Sequence, residues 1–234
     1  MTHQAHLSVD APAGEVLGIA LVMHGGRSKS TAAVSSRQLA VLRMVPFARA
    51  LARTGADQGL AVARLRFAVR GWNGELRSPV ADVVHALDEL AQRYPGVPCV
   101  LVGHSMGGRA ALYAAGHPSV AGVIALAPWL ERGDPVAPLA GRRVLIAHGS
   151  RDRMTSARGS AAYAAAARAA GASVTYVSVA DESHAMLRRA GVWHRLAAGY
   201  AVGVLFGTQP GGTERDATAN VVTEALAGAG SLVV

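Results

Sequence analysis

Apolar residues along the chain fall into runs of two kinds. In residues 16–23, 60–67, 97–102, 120–127, 143–147 and 174–179 they are nearly continuous, which suits parallel strands covered by helices on both faces. Elsewhere they recur at helical spacing. Residues 42–53 form one amphipathic helix, with Pro46 in its first turn or at a kink. A second is opened by Pro79, with Ser78 placed to cap it, and turns Val83, Val84, Leu87 and Leu90 toward the sheet before Tyr94-Pro95-Gly96 ends it. A third follows Ser105 and runs to about Gly116, a fourth of mostly alanine covers about 155–170, and residues 186–206 read as a closing helix. Strand and helix alternate without an internal repeat, so the order predicts one α/β domain over residues 1–207. From Thr208 onward glycine, proline, threonine and charge take over, and residues 208–234 are expected as a tail that is flexible or a loosely docked short helix.

One junction carries chemistry. Leu101-Val102-Gly103-His104-Ser105-Met106-Gly107-Gly108 passes from a strand directly into a helix, the pattern of a nucleophile elbow. So tight a turn strains the backbone at Ser105 and leaves no space for side chains two positions before and after it, where Gly103 and Gly107 stand. The Ser105 hydroxyl is then lifted above the sheet edge, and the Met106 amide at the helix start points to where a carbonyl oxygen would become negative. Gly-x-Ser-x-Gly is a weak signal by itself in a chain with 27 glycines. The strand before it, the helix after it, Gly108 and the partners below give it weight.

Open parallel sheets gather their sites at the carboxyl ends of the strands. The first apolar run delivers His24-Gly25-Gly26 to that end, where an amide of Gly26 or Arg27 would complete an oxyanion hole with Met106. Asp152 follows the run at 143–147 and His184 the run at 174–179. A serine hydroxyl needs an imidazole to take its proton and later to give it to the leaving group, the role of His184. A carboxylate on the other ring nitrogen fixes the tautomer, the role of Asp152. Glu131, which follows the strand after the elbow, is the rival acid. Asp181 and Glu182 lie close to His184 along the chain and read as surface charge. His194 falls inside a helix pattern, His104 beside the pocket, and His148 is placed to order the acid loop.

Composition sets the surroundings. At 234 residues, 51% of them hydrophobic, the chain can bury one sizeable core. A net charge of +8 raises nucleic acid or an anionic membrane as partners, yet Lys29 is the only lysine and the arginines form no run, so neither partner is expected. Arg27, Lys29, Arg37 and Arg70 lie in loops near the site, and Arg27 and Arg70 are the candidate substrate-binding residues for an anionic group. Cys99 is the single cysteine, so no intrachain disulfide exists, and a core role suits it. The stretch from Met1 to His6 shows no basic start leading into an apolar run, and no segment reaches the ~20 apolar residues of a membrane span, so a cytoplasmic protein is expected. Only about a dozen residues separate Pro128 from the run at 143–147, too few for a folded cap.

With Ser105, Asp152 and His184 in that order, an elbow and an early His-Gly-Gly, residues 5 to 206 resemble the α/β-hydrolase superfamily. The likeness is greatest to compact, cap-less bacterial members, small esterases and the dienelactone-hydrolase-like group. A dienelactone hydrolase would carry cysteine where Ser105 stands. The resemblance implies a doubly wound, mostly parallel sheet of up to eight strands and a metal-free acyl-enzyme mechanism without a cofactor. The expected substrate is a small-molecule ester or thioester of modest size. A ligand-binding protein that kept the fold without catalysis, and triad chemistry on peptide or carbon–carbon bonds, are the alternatives.

Overall fold

The computed structural model describes residues 4–207 and 216–234. The start of the N-terminal stretch (1–3) and of the expected tail (208–215) lie outside the described residues. In chain order the strands are β1 (His6–Asp10), β2 (Gly18–Met23), β3 (Leu60–Arg66), β4 (Cys99–His104), β5 (Val120–Leu126), β6 (Arg143–Gly149), β7 (Ser173–Val179) and β8 (Ser231–Val233). The helices are α1 (Leu39–Arg43), α2 (Val45–Thr54), α3 (Ser78–Arg93), α4 (Met106–Ala114), α5 (Ala157–Ala169), α6 (Ala190–Phe206) and α7 (Ala217–Leu226).

All eight strands join one sheet in the order β1-β3-β2-β4-β5-β6-β7-β8. Every neighbouring pair is parallel except β1 with β3, which runs antiparallel with His6 opposite Arg66 and Asp10 opposite Val62. The continuous apolar runs conceal a period of two, because each face of the sheet has its own core. Ile19, Leu21 and Met23 join Val83, Leu87, Leu90 and Leu112 of α3 and α4 on one side. Ala20 and Val22 join Phe47, Leu51, Trp193, Leu196 and Tyr200 of α2 and α6 on the other. The helix α6 is apolar almost all round because α2, α7 and the sheet enclose it.

Three local features differ from the sequence reading. Ser78 does not cap α3: Arg77 holds the cap position with φ 45°, and the Ser78 hydroxyl accepts instead from the Asn73 side-chain amide at 3.1 Å. The closing helix starts at Ala190, since residues 183–189 are spent on the loop carrying His184. From Asp216 the chain forms a short helix, α7, whose first amides are capped by the Asp216 carboxylate, and then a strand not expected there, β8, which adds to β7 in parallel. Between β5 and β6 the longest regular element is a single 3-10 turn, Ala137–Leu139, so no cap stands over the carboxyl end of the sheet among the described residues.

Candidate active site

Ser105 leaves β4 with φ 54° and ψ −115°, a backbone that side-chain-bearing residues rarely adopt. The turn survives because two neighbours lack a Cβ. One at Gly103 would stand 2.3 Å from the Gly107 carbonyl oxygen, and one at Gly107 would stand 2.5 Å from that of His24. The Ser105 amide donates to the Leu126 carbonyl at 3.0 Å, and its own carbonyl accepts from Arg109 at 3.1 Å and Trp129 at 3.2 Å.

Three side chains from separate strand ends meet here. Ser105 Oγ lies 3.1 Å from His184 Nε2, and His184 Nδ1 lies 2.8 Å from Asp152 Oδ2. The Asp152 carboxylate is fully buried and densely bonded. One oxygen accepts from the Met154 and Thr155 amides at 2.8 and 3.0 Å. The other accepts from the Thr155 hydroxyl at 2.8 Å and faces His148 Nε2 at 3.1 Å. Burial alone would push this carboxyl up, but bonds from His148, His184 and the Thr155 amide outweigh it and hold it well below the usual carboxylate range. His148, fully buried, turns its other nitrogen to the Ser160 hydroxyl at 2.9 Å, so it braces the acid loop.

The His184 loop is clamped from three directions. His104 is buried and its imidazole is pushed down to about 3 by that burial, so it is neutral; its Nε2 donates to the His184 carbonyl at 3.1 Å. Arg43 of α1 donates to the next carbonyl, of Ala185. Glu182, buried and no surface charge as the sequence had suggested, accepts from the Ser183 and Arg189 amides at 2.8 and 2.7 Å. Burial opposes ionisation there, and the amides of Arg189, Ser183 and Arg188 overcome it, keeping the carboxyl below its ordinary value.

The rivals lie elsewhere. Glu131 meets Arg109 at 2.9 Å, Asp181 meets Arg151 at 2.7 Å, and His194 sits edge-on to Phe47 inside α6.

The His-Gly-Gly loop lies against the elbow. A Cβ on Gly26 would fall 2.3 Å from Met106 Cε and 2.5 Å from the Arg70 carbonyl oxygen. The Arg27 amide is spent on that Arg70 carbonyl at 2.8 Å, which leaves Gly26 as the loop amide beside Met106. Met106, first residue of α4, has no intrahelical acceptor for its own amide. His24 fastens the loop: burial lowers its imidazole to about 4, its Nδ1 donates to Gly25 at 2.6 Å, and its Nε2 accepts from the Phe67 amide at 3.2 Å.

Arg27 is exposed, whereas the half-buried Arg70 donates through Nε to the Ala33 carbonyl at 3.0 Å. Both line a pocket of about 270 Å³ with Gly26, Val34 and Leu39. A larger pocket of about 810 Å³ opens between Lys29, Trp72, Tyr113, Trp129 and Asp134. Its wall hides a cluster that sequence reasoning missed. Arg109, 4% exposed, lies 4.1 Å from the Trp72 ring centroid and 4.8 Å from that of Trp129, and pairs with Asp134 at 2.6 Å. An arginine four positions after the elbow serine was the available signal.

A family profile described as serine aminopeptidase, S33, matches residues 67–144. No curated protein sequence matches the chain. Among solved structures, an α/β serine hydrolase homologue from Coxiella burnetii shares 18% identity over 83% of this chain and 90% of its own, with a TM-score of 0.63. Est1E from Butyrivibrio proteoclasticus, solved with ferulic acid bound, gives 15% identity, 86% and 95% coverage and 0.64. A serine hydrolase without a lid from Xanthomonas campestris gives 21%, 88% and 91%, and 0.62. At such identities the structural likeness establishes the fold, and the profile match covers the elbow and its flanking strands. With this sheet order and these likenesses, the chain has the α/β-hydrolase fold, with no cap among the described residues, and its elbow segment matches the serine aminopeptidase, S33, profile.

Proposed function

We propose that the chain hydrolyses a carboxylic ester or thioester of modest size through an acyl-enzyme formed on Ser105. The reading is carried by the relay of contacts from Ser105 Oγ to His184 Nε2 at 3.1 Å and from His184 Nδ1 to Asp152 Oδ2 at 2.8 Å. Ser105 Oγ attacks the carbonyl carbon as its proton passes to His184 Nε2, and Asp152 stabilises the imidazolium through Nδ1–H. Negative charge gathers on the carbonyl oxygen, facing the amides of Met106 and Gly26. His184 returns the proton to the leaving oxygen or sulfur. Water, deprotonated by the same ring, then releases the acid. These steps call on no cofactor.

The serine aminopeptidase profile raises a peptide substrate as a second reading. Recognition of a free amino terminus calls for an unpaired carboxylate near the site, and the larger pocket argues against one. Glu75 is paired with Arg77, Glu131 with Arg109, and Asp134 with both Arg109 and Tyr113. An ester or thioester makes no such demand. Fluorophosphonate labelling followed by peptide mapping tests the assignment, alongside p-nitrophenyl esters of increasing acyl length and aminoacyl anilides. Labelling at Ser105 with turnover of the esters is expected. Folded protein that takes up no label would overturn it in favour of a ligand-binding role, and preferential cleavage of the anilides would move it to a peptidase.

A further inference from the structure

Six cations that are scattered along the sequence share one end of the sheet. Loops that follow parallel strands all open at the end of the sheet that holds Ser105. They bring Arg27, Lys29 and Arg37 after β2, Arg132 after β5, Arg153 after β6 and Arg188 after β7. All six are exposed, and among the described residues none has an ion-pair partner. The exposed carboxylates of this end are already neutralised: Glu75 by Arg77 at 3.2 Å, Glu131 by Arg109 at 2.9 Å and Asp181 by Arg151 at 2.7 Å. Glu15 and Asp57, exposed and unpaired, precede β2 and β3 at the opposite end. The uncompensated charge around the open site is therefore positive throughout.

Apolar side chains stand among these cations. Leu39 of α1 is 77% exposed, Leu76 76%, Met154 78% and Leu187 67%, well beyond the partial exposure usual for such residues. Met154 is two residues from Asp152 and Leu187 three from His184. Arg43, donating to the Ala185 carbonyl, ties α1 to the His184 loop. The four come from four separate stretches of chain at this end, and Leu39 and Leu76 line different pockets.

We propose that this end of the molecule docks on an anionic lipid surface. The six cations meet headgroups, Leu39, Leu76, Met154 and Leu187 enter the acyl boundary, and the uncapped mouth faces the lipid. Positive charge interleaved with protruding aliphatic side chains is the chemistry such a surface rewards. Single-stranded nucleic acid would use the cations but asks for aromatic stacking platforms, and the large apolar residues exposed here are leucine, methionine and valine. An acidic protein would leave the four aliphatic side chains without a role.

The test is co-sedimentation of the full chain in its Ser105→Ala form, which reads binding apart from hydrolysis and so stands or falls independently of the proposed reaction. The vesicles are phosphatidylcholine alone, or phosphatidylcholine and phosphatidylglycerol in equal parts. Binding to the anionic vesicles alone is expected, and rising salt should release it. With each cation near the surface contributing about fivefold in partition, combined Arg37→Ser, Arg153→Ser and Arg188→Ser should weaken binding on the order of a hundredfold. Leu39→Ser with Leu187→Ser should weaken it about tenfold and make the remainder more salt-sensitive. These side chains are exposed, so the melting temperature should hold in all variants. Failure to sediment with anionic vesicles at low salt, or equal binding to both compositions, would overturn the proposal. Retention on single-stranded DNA that ignores the leucine substitutions would overturn it too and reassign the face to nucleic acid.

Discussion

The two halves of the site are held by different physics. On the nucleophile side the constraint is steric: Ser105 keeps φ 54° because the main chain of Gly103 and Gly107 passes where side chains would be. On the acid and base side the constraint is polar. Asp152 accepts five hydrogen bonds, and the His184 loop hangs from Glu182, His104 and Arg43. A half set by sterics tolerates no added atom, while one set by hydrogen bonds tolerates no lost partner. The halves also answer pH differently. Two buried imidazoles with depressed basicity flank the elbow, His24 on its loop side and His104 reaching across to the His184 loop, while the acid and base side rests on two carboxylates with depressed pKa, Asp152 and Glu182.

That contrast can be broken in several places. Ser105→Ala should cut kcat for p-nitrophenyl butyrate up to about a millionfold if chemistry limits, as in other serine triads, with little change in melting temperature. Asp152→Asn should lower kcat by about ten-thousandfold, because the amide offers His184 the wrong partner and favours the wrong tautomer; steady-state rates against circular dichroism separate this from unfolding. Gly103→Ala acts on the steric half and should cost about 3 kcal/mol or more, since the new methyl group meets the Gly107 carbonyl and main chain must move; urea denaturation reads it.

Stability against pH sharpens the same contrast. His24 and His104 have folded values of about 4 and about 3 against an ordinary 6.5, so the unfolded chain binds more protons in that interval. Their contribution is complete above 6.5 and declines as pH falls toward 4 and 3, by on the order of 3 kcal/mol for His24 and about 5 kcal/mol for His104. Asp152 and Glu182 contribute fully above the usual carboxylate range and lose their share only as pH falls below it. Melting temperatures should therefore drop between pH 6.5 and 4, and a His104→Gln variant should show a shallower drop. An unchanged slope in that variant would remove His104 from the account. The smallest effect is expected from Glu182→Gln, about 2 kcal/mol, with a loss of kcat accompanying the looser His184 loop.

Much of this architecture was readable in the chain itself. The six buried parallel strands announce themselves as apolar runs because both of their faces are covered. β1 is half wet and alternates Leu7 and Val9 with polar residues, a weak pattern in a segment of five, and β8 has only three. Ser105, Asp152 and His184 were legible as polar residues just past such runs, and the structure brings them within hydrogen-bonding distance. Arg109 was not, since an arginine in an alanine-rich helix reads as solvated until Trp72, Trp129 and Asp134 arrive from other parts of the chain. Glu182 misled for the same reason: its neighbours along the chain are polar, while its partners are backbone amides supplied by a turn. Charge was the least legible property, because spacing along the sequence conceals which loops share an end of the sheet.

With nothing longer than a 3-10 turn between β5 and β6, that connection supplies no segment to open and shut over the nucleophile. In the reaction proposed above, closure of that connection would then be no step of the cycle.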